Sequence, residues 1–77
     1  MEFQNGQMLE LDGMDVCVLD VQKINELDYI YVGEIVDDDI TGNFYVYKLR
    51  DNNIEKVVNS DELKDVLPIF IESMSND

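Results

Sequence analysis

Hydrophobic and polar residues alternate in short blocks along most of the chain, which is the pattern of β-strands whose successive side chains point to opposite faces of a sheet. Turn-forming residues separate the blocks. Asp12-Gly13 is the strongest of these signals, because both residues tolerate positive φ. Residues 23–27 and 51–53 also have the composition of turns. The pattern predicts strands at residues 7–11, 14–22, 28–36, 43–50 and 54–58.

Two of the predicted strands contain an irregular feature. In residues 14–22 both alternation classes are apolar, which suits a central strand or a strand with a bulge that changes its inward face. Gly33 lies inside the third strand, where a glycine marks a bulge or a strong bend. The two classes in residues 14–22 are Met14, Val16 and Val18 on one side and Cys17, Leu19 and Val21 on the other.

The apolar spacing becomes helical after residue 58. Asn59 followed by Glu62 resembles a capping box, and the acidic side chains of Asp61 and Glu62 suit the positive end of a helix dipole. Pro68 interrupts the helical pattern, so we expect a kink there or a new helical turn that begins with this proline. The predicted apolar stripe comprises Leu63, Val66, Leu67, Phe70 and Met74.

These elements predict an α+β fold: a small twisted antiparallel sheet of about five strands with a C-terminal helix packed on it. The chain of 77 residues has room for a single domain, residues 1–77, and we expect residues 1–6 and 75–77 to fray. One Cys and no His exclude an internal disulfide framework and a zinc site of the usual spacing. Neither a signal peptide nor a membrane span is predicted, so we expect a soluble cytoplasmic protein.

Net charge is the most unusual property of the sequence. Against 18 acidic residues there are 5 basic ones, which gives a formal net charge of -13. Such a charge opposes direct binding to nucleic acid and to anionic membranes, and it attracts basic partners. It also keeps small proteins soluble and apart from one another, which is the ordinary explanation.

The chain resembles a family of short acidic proteins from Gram-positive bacteria, the uncharacterised YrzB-like proteins. The resemblance lies in the order of the elements and in the segments DVCVLDV (15–21), DYIYVGEI (28–35), FYVYKLRDNNIEKV (44–57) and SDELKDVL (60–67). It covers nearly the whole chain and implies this order of elements and an intracellular bacterial or phage setting. Pro68 and the apolar residues 69–71 depart from the family pattern, and the resemblance supplies no active-site residues.

No pattern in the sequence indicates catalysis. The commonest general base is missing because there is no His, and the glycines are isolated, so no phosphate-binding loop is formed. Cys17 stands among Val16, Val18 and Leu19, where we expect a packed, unreactive core thiol. We therefore expect a protein that is not an enzyme and that uses no cofactor.

The stretch IVDDDITGNFYVYK (35–48) resembles the start of a calcium loop. Counting from Asp37, Asp39 and Thr41 take the third and fifth places and Gly42 the sixth. The twelfth place holds Lys48, a cation where the metal needs a bidentate Glu, and the flanks are predicted strands rather than helices. We therefore predict an acidic hairpin loop and no metal site.

Four tyrosines occupy alternate positions on two predicted strands, so their rings share one sheet face if these strands pair in register. Packing inside the protein is the ordinary explanation, and an exposed aromatic face suited to protein recognition is the alternative. The residues are Tyr29, Tyr31, Tyr45 and Tyr47.

These observations favour a non-enzymatic acidic module that binds a basic protein surface, and its sharpest form is a nucleic-acid mimic that inhibits a DNA- or RNA-binding defence enzyme. The alternative is a structural or regulatory homo-oligomer, such as a homodimer formed through the tyrosine face or through the apolar surface near Ile69 and Ile71. The candidate partner-binding carboxylates are Asp28, Glu34, Asp37, Asp38 and Asp39, with Glu10, Asp12 and Asp15 as further members.

Overall fold

The computed structural model describes residues 3–75, which form a five-stranded antiparallel sheet followed by one C-terminal helix. The strands are paired in sequence order and the sheet is curled. The predicted α+β class and the order of its elements are thus confirmed. The elements are β1 Met8–Leu11, β2 Met14–Ile24, β3 Leu27–Val36, β4 Asp39–Arg50, β5 Asn53–Lys56 and α1 Ser60–Ser75.

All four hairpins of the sheet turn through two residues that both have positive φ, the backbone signature of the tight turn that matches strand twist. The Asp12-Gly13 hairpin is confirmed, with Leu11 paired to Met14. The turns at Asn25-Glu26 and Asp37-Asp38 are shorter than predicted, because non-glycine residues accept this conformation there and let β2, β3 and β4 extend further. β1 begins one residue later than predicted, and β5 begins one residue earlier and ends two residues earlier. The central turn residues are Asp12-Gly13, Asn25-Glu26, Asp37-Asp38 and Asp51-Asn52.

The predicted bulge in β2 is confirmed, since the register of β2 against β3 shifts between Val18 and Asp20. This shift moves Val21 to the face of Val16 and Val18, and Val21 packs against the same cluster. A second shift follows Gly33, as its position in the sequence suggested. A Cβ at Gly33 would lie 3.0 Å from Cγ2 of Ile40, so the side chains of β4 close over the bare backbone there.

Two clusters of buried residues lie on opposite faces of the sheet. The first cluster contains Val16, Val18, Ile30, Val32 and Tyr47, and no residue of α1 is among its members. The helix-side cluster joins Tyr29, Val46 and Val57 to Val66 and Phe70 of α1.

The start of α1 is as predicted, because Oδ1 of Asn59 accepts hydrogen bonds from the N–H groups of Asp61 (2.9 Å) and Glu62 (3.0 Å). The Glu62 side chain does not complete a capping box; its carboxylate bonds to Tyr29 and Lys48 instead. The helix continues through Pro68 to Ser75, so no separate helix begins at the proline.

The predicted frayed ends fall partly outside the described residues, which exclude residues 1, 2, 76 and 77. At the described start, the N–H of Gly6 donates to the carbonyl of Val18 at 2.7 Å, and the N–H of Val18 donates to the carbonyl of Gln7 at 2.8 Å. These bonds extend the pairing of β2 beyond β1.

Candidate protein-binding surface

An acidic groove lies at the end of the sheet where the β3–β4 turn approaches β1. Its cavity volume is about 520 Å³, and carboxylates form much of its rim. Met8, which is 59% exposed, contributes apolar surface beside them. The lining residues are Met8, Leu9, Glu10, Asp15, Ile35, Asp37 and Asp38.

Two hairpins position the four carboxylates of this acidic groove. The tight Asp12-Gly13 turn pairs Glu10 with Asp15, so these like charges stand directly opposite each other across β1 and β2. The other hairpin turns at Asp37-Asp38, whose neighbours Val36 and Asp39 form the closing pair. The acidic stretch is therefore a tight turn between long strands, and Thr41, Gly42 and Asn43 belong to β4.

In the described part of the chain, the groove carboxylates form no salt bridge with a Lys or Arg side chain. Within residues 3–75 the salt bridge is between Lys48 Nζ and Glu62 Oε2, at 2.9 Å, and it lies on the helix side of the sheet. The four groove carboxylates are exposed, so their negative fields add at the rim. A Lys or Arg side chain suits this environment, because its apolar stem can contact Met8 while its charge meets the rim.

The remaining predicted carboxylates do not line this groove. Glu34 is used within the fold, where its Oε1 accepts hydrogen bonds from Oγ1 of Thr41 (3.2 Å) and Nδ2 of Asn43 (3.0 Å) across the β3–β4 irregularity. Asp28 lies towards the other end of β3, opposite Lys23. Asp39 is exposed at the first position of β4, next to the groove turn.

The four tyrosines do not share one face, and this expectation was wrong. Tyr29 is opposite Lys48 and Tyr31 is opposite Val46, whereas Tyr45 and Tyr47 are opposite Val32 and Ile30. This register places one tyrosine pair on each face, because side chains in directly opposed positions of a sheet point the same way.

Two of the tyrosines are internal. Tyr47 is 1% exposed and its hydroxyl donates to Oδ2 of Asp12 at 2.8 Å, which connects β4 to the first hairpin. Tyr29 is 5% exposed and donates to Oε2 of Glu62 at 2.7 Å. Tyr31 and Tyr45 are half-buried, so of the four tyrosines these two offer ring surface to a partner, beside the exposed ring of Phe44.

The hydrogen-bonded group of Tyr29, Glu62 and Lys48 has shifted acid–base properties. Burial, together with the bond to the Glu62 carboxylate, raises the pKa of Tyr29 to about 12. The bonds from Tyr29 and Lys48 stabilise the ionised carboxylate and lower the pKa of Glu62. Burial and the Asp12 carboxylate likewise raise the pKa of Tyr47. Each of these three groups also makes a hydrogen bond that joins separate elements of the fold.

A second, apolar groove lies between β4 and α1, and sequence reasoning did not identify it. Its volume is about 280 Å³. The rings of Tyr31 and Phe44 stack at one side with centroids 5.6 Å apart, and Nζ of Lys56 lies 4.3 Å from the ring centroid of Tyr45. The lining residues are Tyr31, Phe44, Tyr45, Val46, Lys56, Val57, Leu63 and Leu67.

Cys17 is half-buried and belongs to neither buried cluster, contrary to the expectation of a packed core thiol. It alternates with the inward-facing Val16 and Val18, and its partner on β3 is Gly33, which has no side chain to cover it. In residues 3–75 no group of three or more His, Cys, Asp or Glu side chains is arranged to hold a metal ion.

Comparison with known proteins identifies no relative: the chain matches no protein-family model, no curated protein and no solved structure. A separate observation concerns membranes. In the described part of the chain, no helix combines the length and the apolar character that crossing a membrane requires.

Proposed function

We propose that this protein is a non-enzymatic, cytoplasmic binding module whose acidic groove engages a basic surface on a partner protein. The observation that supports this proposal is the convergence of Glu10, Asp15, Asp37 and Asp38 on one groove with exposed Met8 beside them. Two separate hairpins contribute these carboxylates, so the concentration of charge depends on the fold as well as on composition. Neither nucleic acid nor an anionic membrane suits such a surface.

The most specific form of the proposal is mimicry of nucleic acid. Carboxylates on the groove rim and on neighbouring Asp39 take the place of phosphates and occupy the basic site of a DNA- or RNA-binding enzyme, which is thereby inhibited. Association with such a partner is accelerated by long-range attraction and slows steeply as salt is added. A bacterial or phage protein of the YrzB-like kind, which this chain resembles in its order of elements, is consistent with this role.

The test compares two variants with the same loss of charge. The groove variant replaces Glu10→Gln, Asp15→Asn, Asp37→Asn and Asp38→Asn, and each side chain keeps nearly its original shape. The control removes four exposed charges elsewhere, with Asp51→Asn, Glu55→Gln, Asp65→Asn and Glu72→Gln.

Each protein is immobilised and exposed to a bacterial lysate at low and at high salt, and the captured proteins are identified. We expect the unmodified protein and the control to capture the same basic nucleic-acid-binding enzymes at low salt, and the groove variant to lose them. Equal losses in both variants would show that net charge, rather than the groove, determines binding. Capture that is insensitive to salt would contradict mimicry.

The position of the helix supports the assignment of the acidic groove as the surface that binds a partner. We infer that α1 is packed on a twisted sheet, because Phe70 of the helix is fully buried and its ring centroid is 5.6 Å from that of Tyr31. The bond from Gln22 Nε2 to Oγ of Ser73, at 2.9 Å, joins the last turn of the helix to β2. The acidic groove is then the part of the helix-side face that the helix leaves open.

A homo-oligomer is the second candidate function, and the exposed apolar side chains favour it. Ile69 and Ile71 on α1 are 37% and 58% exposed, and Ile40 and Phe44 on β4 are 48% and 45% exposed. Analytical ultracentrifugation over a wide concentration range decides between the candidates. A mass that stays at 8.9 kDa at the highest concentration excludes the homo-oligomer.

A further inference from the structure

The outer edge of β4 is only partly paired. β5 pairs with residues 47–50, whereas β4 begins at Asp39, so no described strand adds to the outer side of residues 39–45. Residues 39–44 are all exposed. An unpaired strand edge presents backbone N–H and C=O groups that another extended chain can bond.

The backbone at Phe44 faces this open side. The N–H of Val57 donates to the carbonyl of Val46 at 2.8 Å, which shows that Val46 presents its backbone groups outward. In an antiparallel ladder every second residue does so, and Phe44 is therefore the next outward-facing residue along β4. The irregularity at residues 41–43 limits the regular free edge to a short segment around Phe44.

The apolar groove between β4 and α1 lies beside this edge. Val46 and Phe44 form one side of it, and Leu63 and Leu67 of α1 form the other. Its volume of about 280 Å³ is smaller than that of a typical small-molecule site, which begins at roughly 300 Å³, and it suits individual side chains. A strand added at Phe44 would direct alternate side chains into this groove, which is the combination used in recognition by strand addition.

We propose that the outer edge of β4 around Phe44 is a strand-addition site for an extended segment of a partner protein that bears apolar residues next to a run of Lys or Arg. The apolar residues enter the groove beside Leu63 and Leu67, and the basic run meets Asp37, Asp38 and Asp39 at the start of β4. The basic run of the partner segment rests on the proposed function. The strand pairing at Phe44 and the apolar groove do not depend on it. The net charge of -13 opposes a second copy of this chain on the same edge.

The probe is a short capped peptide in which a pair of valines at alternate positions precedes a run of lysines. One control peptide is N-methylated at alternate residues, which removes the donors that strand pairing needs, and the other is a capped oligolysine with the same number of lysines. Backbone amide shifts and hydrogen exchange of the protein are followed by NMR at low and high salt.

We expect the valine–lysine peptide to slow exchange of the Phe44 amide at least tenfold and the N-methylated peptide to give no protection. Binding of the valine–lysine peptide without protection at Phe44 would overturn the inference. In addition, Leu67→Lys should weaken peptide binding about tenfold or more, because it places a charge in the groove. Ile71→Lys, on the exposed side of the same helix, should leave binding unchanged.

The outcomes separate this inference from the proposed function. If oligolysine shifts the amides of Asp37 and Asp38 while no peptide protects Phe44, the strand-addition site is wrong and the acidic groove stands. If the valine–lysine peptide protects Phe44 equally at both salt concentrations and oligolysine has no effect, strand addition stands and the proposed function fails. Protection of Phe44 that rises with protein concentration in the absence of peptide would assign the edge to a second copy and overturn the proposal.

Discussion

The hydroxyl of Tyr29 donates a hydrogen bond of 2.7 Å to Oε2 of Glu62, and this bond links the middle strand of the sheet to the first turn of the helix. Nζ of Lys48, on the adjacent strand, lies 2.9 Å from the same oxygen and 3.0 Å from Oε1. One carboxylate therefore joins three elements that are distant in sequence. Its side chain is 24% exposed, so its interactions are partly shielded from solvent.

Glu62→Gln should reduce the free energy of unfolding mainly at pH values above 4.5. The pKa of Glu62 is lowered from 4.5 in the folded protein, so its contribution is present above pH 4.5 and is lost as pH falls through the lowered value. The variant retains an acceptor for Tyr29 but loses the charge that pairs with Lys48. We expect a loss of about 1 kcal/mol at pH 7, and a smaller loss at pH ~3. Urea unfolding at a series of pH values measures this dependence.

The matched control for that experiment is Glu72→Gln, which removes an exposed glutamate from the same helix. Its unfolding free energy should stay within about 0.5 kcal/mol of the unmodified protein at every pH. A Glu62→Gln curve that runs parallel to the unmodified curve down to low pH would contradict the role assigned to the carboxylate.

Tyr47→Phe should remove the link between β4 and the first hairpin. The hydroxyl of the buried Tyr47 donates to Asp12 in a partly buried hydrogen bond, and its removal should cost about 0.5–1.5 kcal/mol at neutral pH. The pKa of Tyr47 is raised, so its contribution is complete below the ordinary value of 10.0 and is lost as pH rises through the higher folded value. The variant should therefore unfold with a weaker alkaline dependence, as measured by circular dichroism.

Tyr45→Phe is the comparison for this effect. Its ring is half-buried on the same face and lies 4.3 Å from Nζ of Lys56, and a phenyl ring keeps the same cation–π contact. We expect a change in stability of less than about 0.5 kcal/mol. If both Phe variants lose equal stability, the hydrogen bond to Asp12 is not the cause.

Local signals in the sequence were sufficient for the order of the elements, the Asp12-Gly13 turn and the Asn59 helix cap. These features depend on residues that are close in the chain and have strong backbone preferences. The boundaries at Asn25-Glu26 and Asp37-Asp38 were missed, because Glu and paired Asp residues rarely supply two successive positive φ values.

The tyrosine faces could not be predicted because they depend on register. A change of one residue in strand pairing moves every side chain to the other face, and alternation alone does not fix the pairing between two strands that are both apolar. The pairing Tyr29↔Lys48, rather than Tyr29↔Tyr47, follows from the two-residue turn at Asp37-Asp38 and the irregularity beyond Gly33.

The acidic groove was accessible to prediction in part. The charge at Asp37 and Asp38 is evident in the sequence, and once Asp12-Gly13 is a two-residue turn, Glu10 must stand opposite Asp15. The approach of the β3–β4 turn to β1 depends on the curl of the whole sheet, which no local pattern encodes. For the same reason the apolar groove, which needs the position of α1 against β4, was not identified.

Asp38→Gly should stabilise the protein, because the residue at the centre of the acidic turn has φ 67. A side chain at such a position costs about 1–2 kcal/mol for most residues and less for Asp, and glycine avoids this strain. Removing one of several neighbouring negative charges acts in the same direction. We expect a gain of about 0.5–1 kcal/mol in the free energy of unfolding, measured with urea.

The matched control is Asp39→Gly, which deletes the same side chain one position later, at the start of β4. The φ angle is not positive there, and glycine weakens a strand by about 0.5–1 kcal/mol. Opposite signs for the two variants would establish that backbone conformation dominates at this turn, and two stabilised variants of equal size would instead attribute the effect to charge alone.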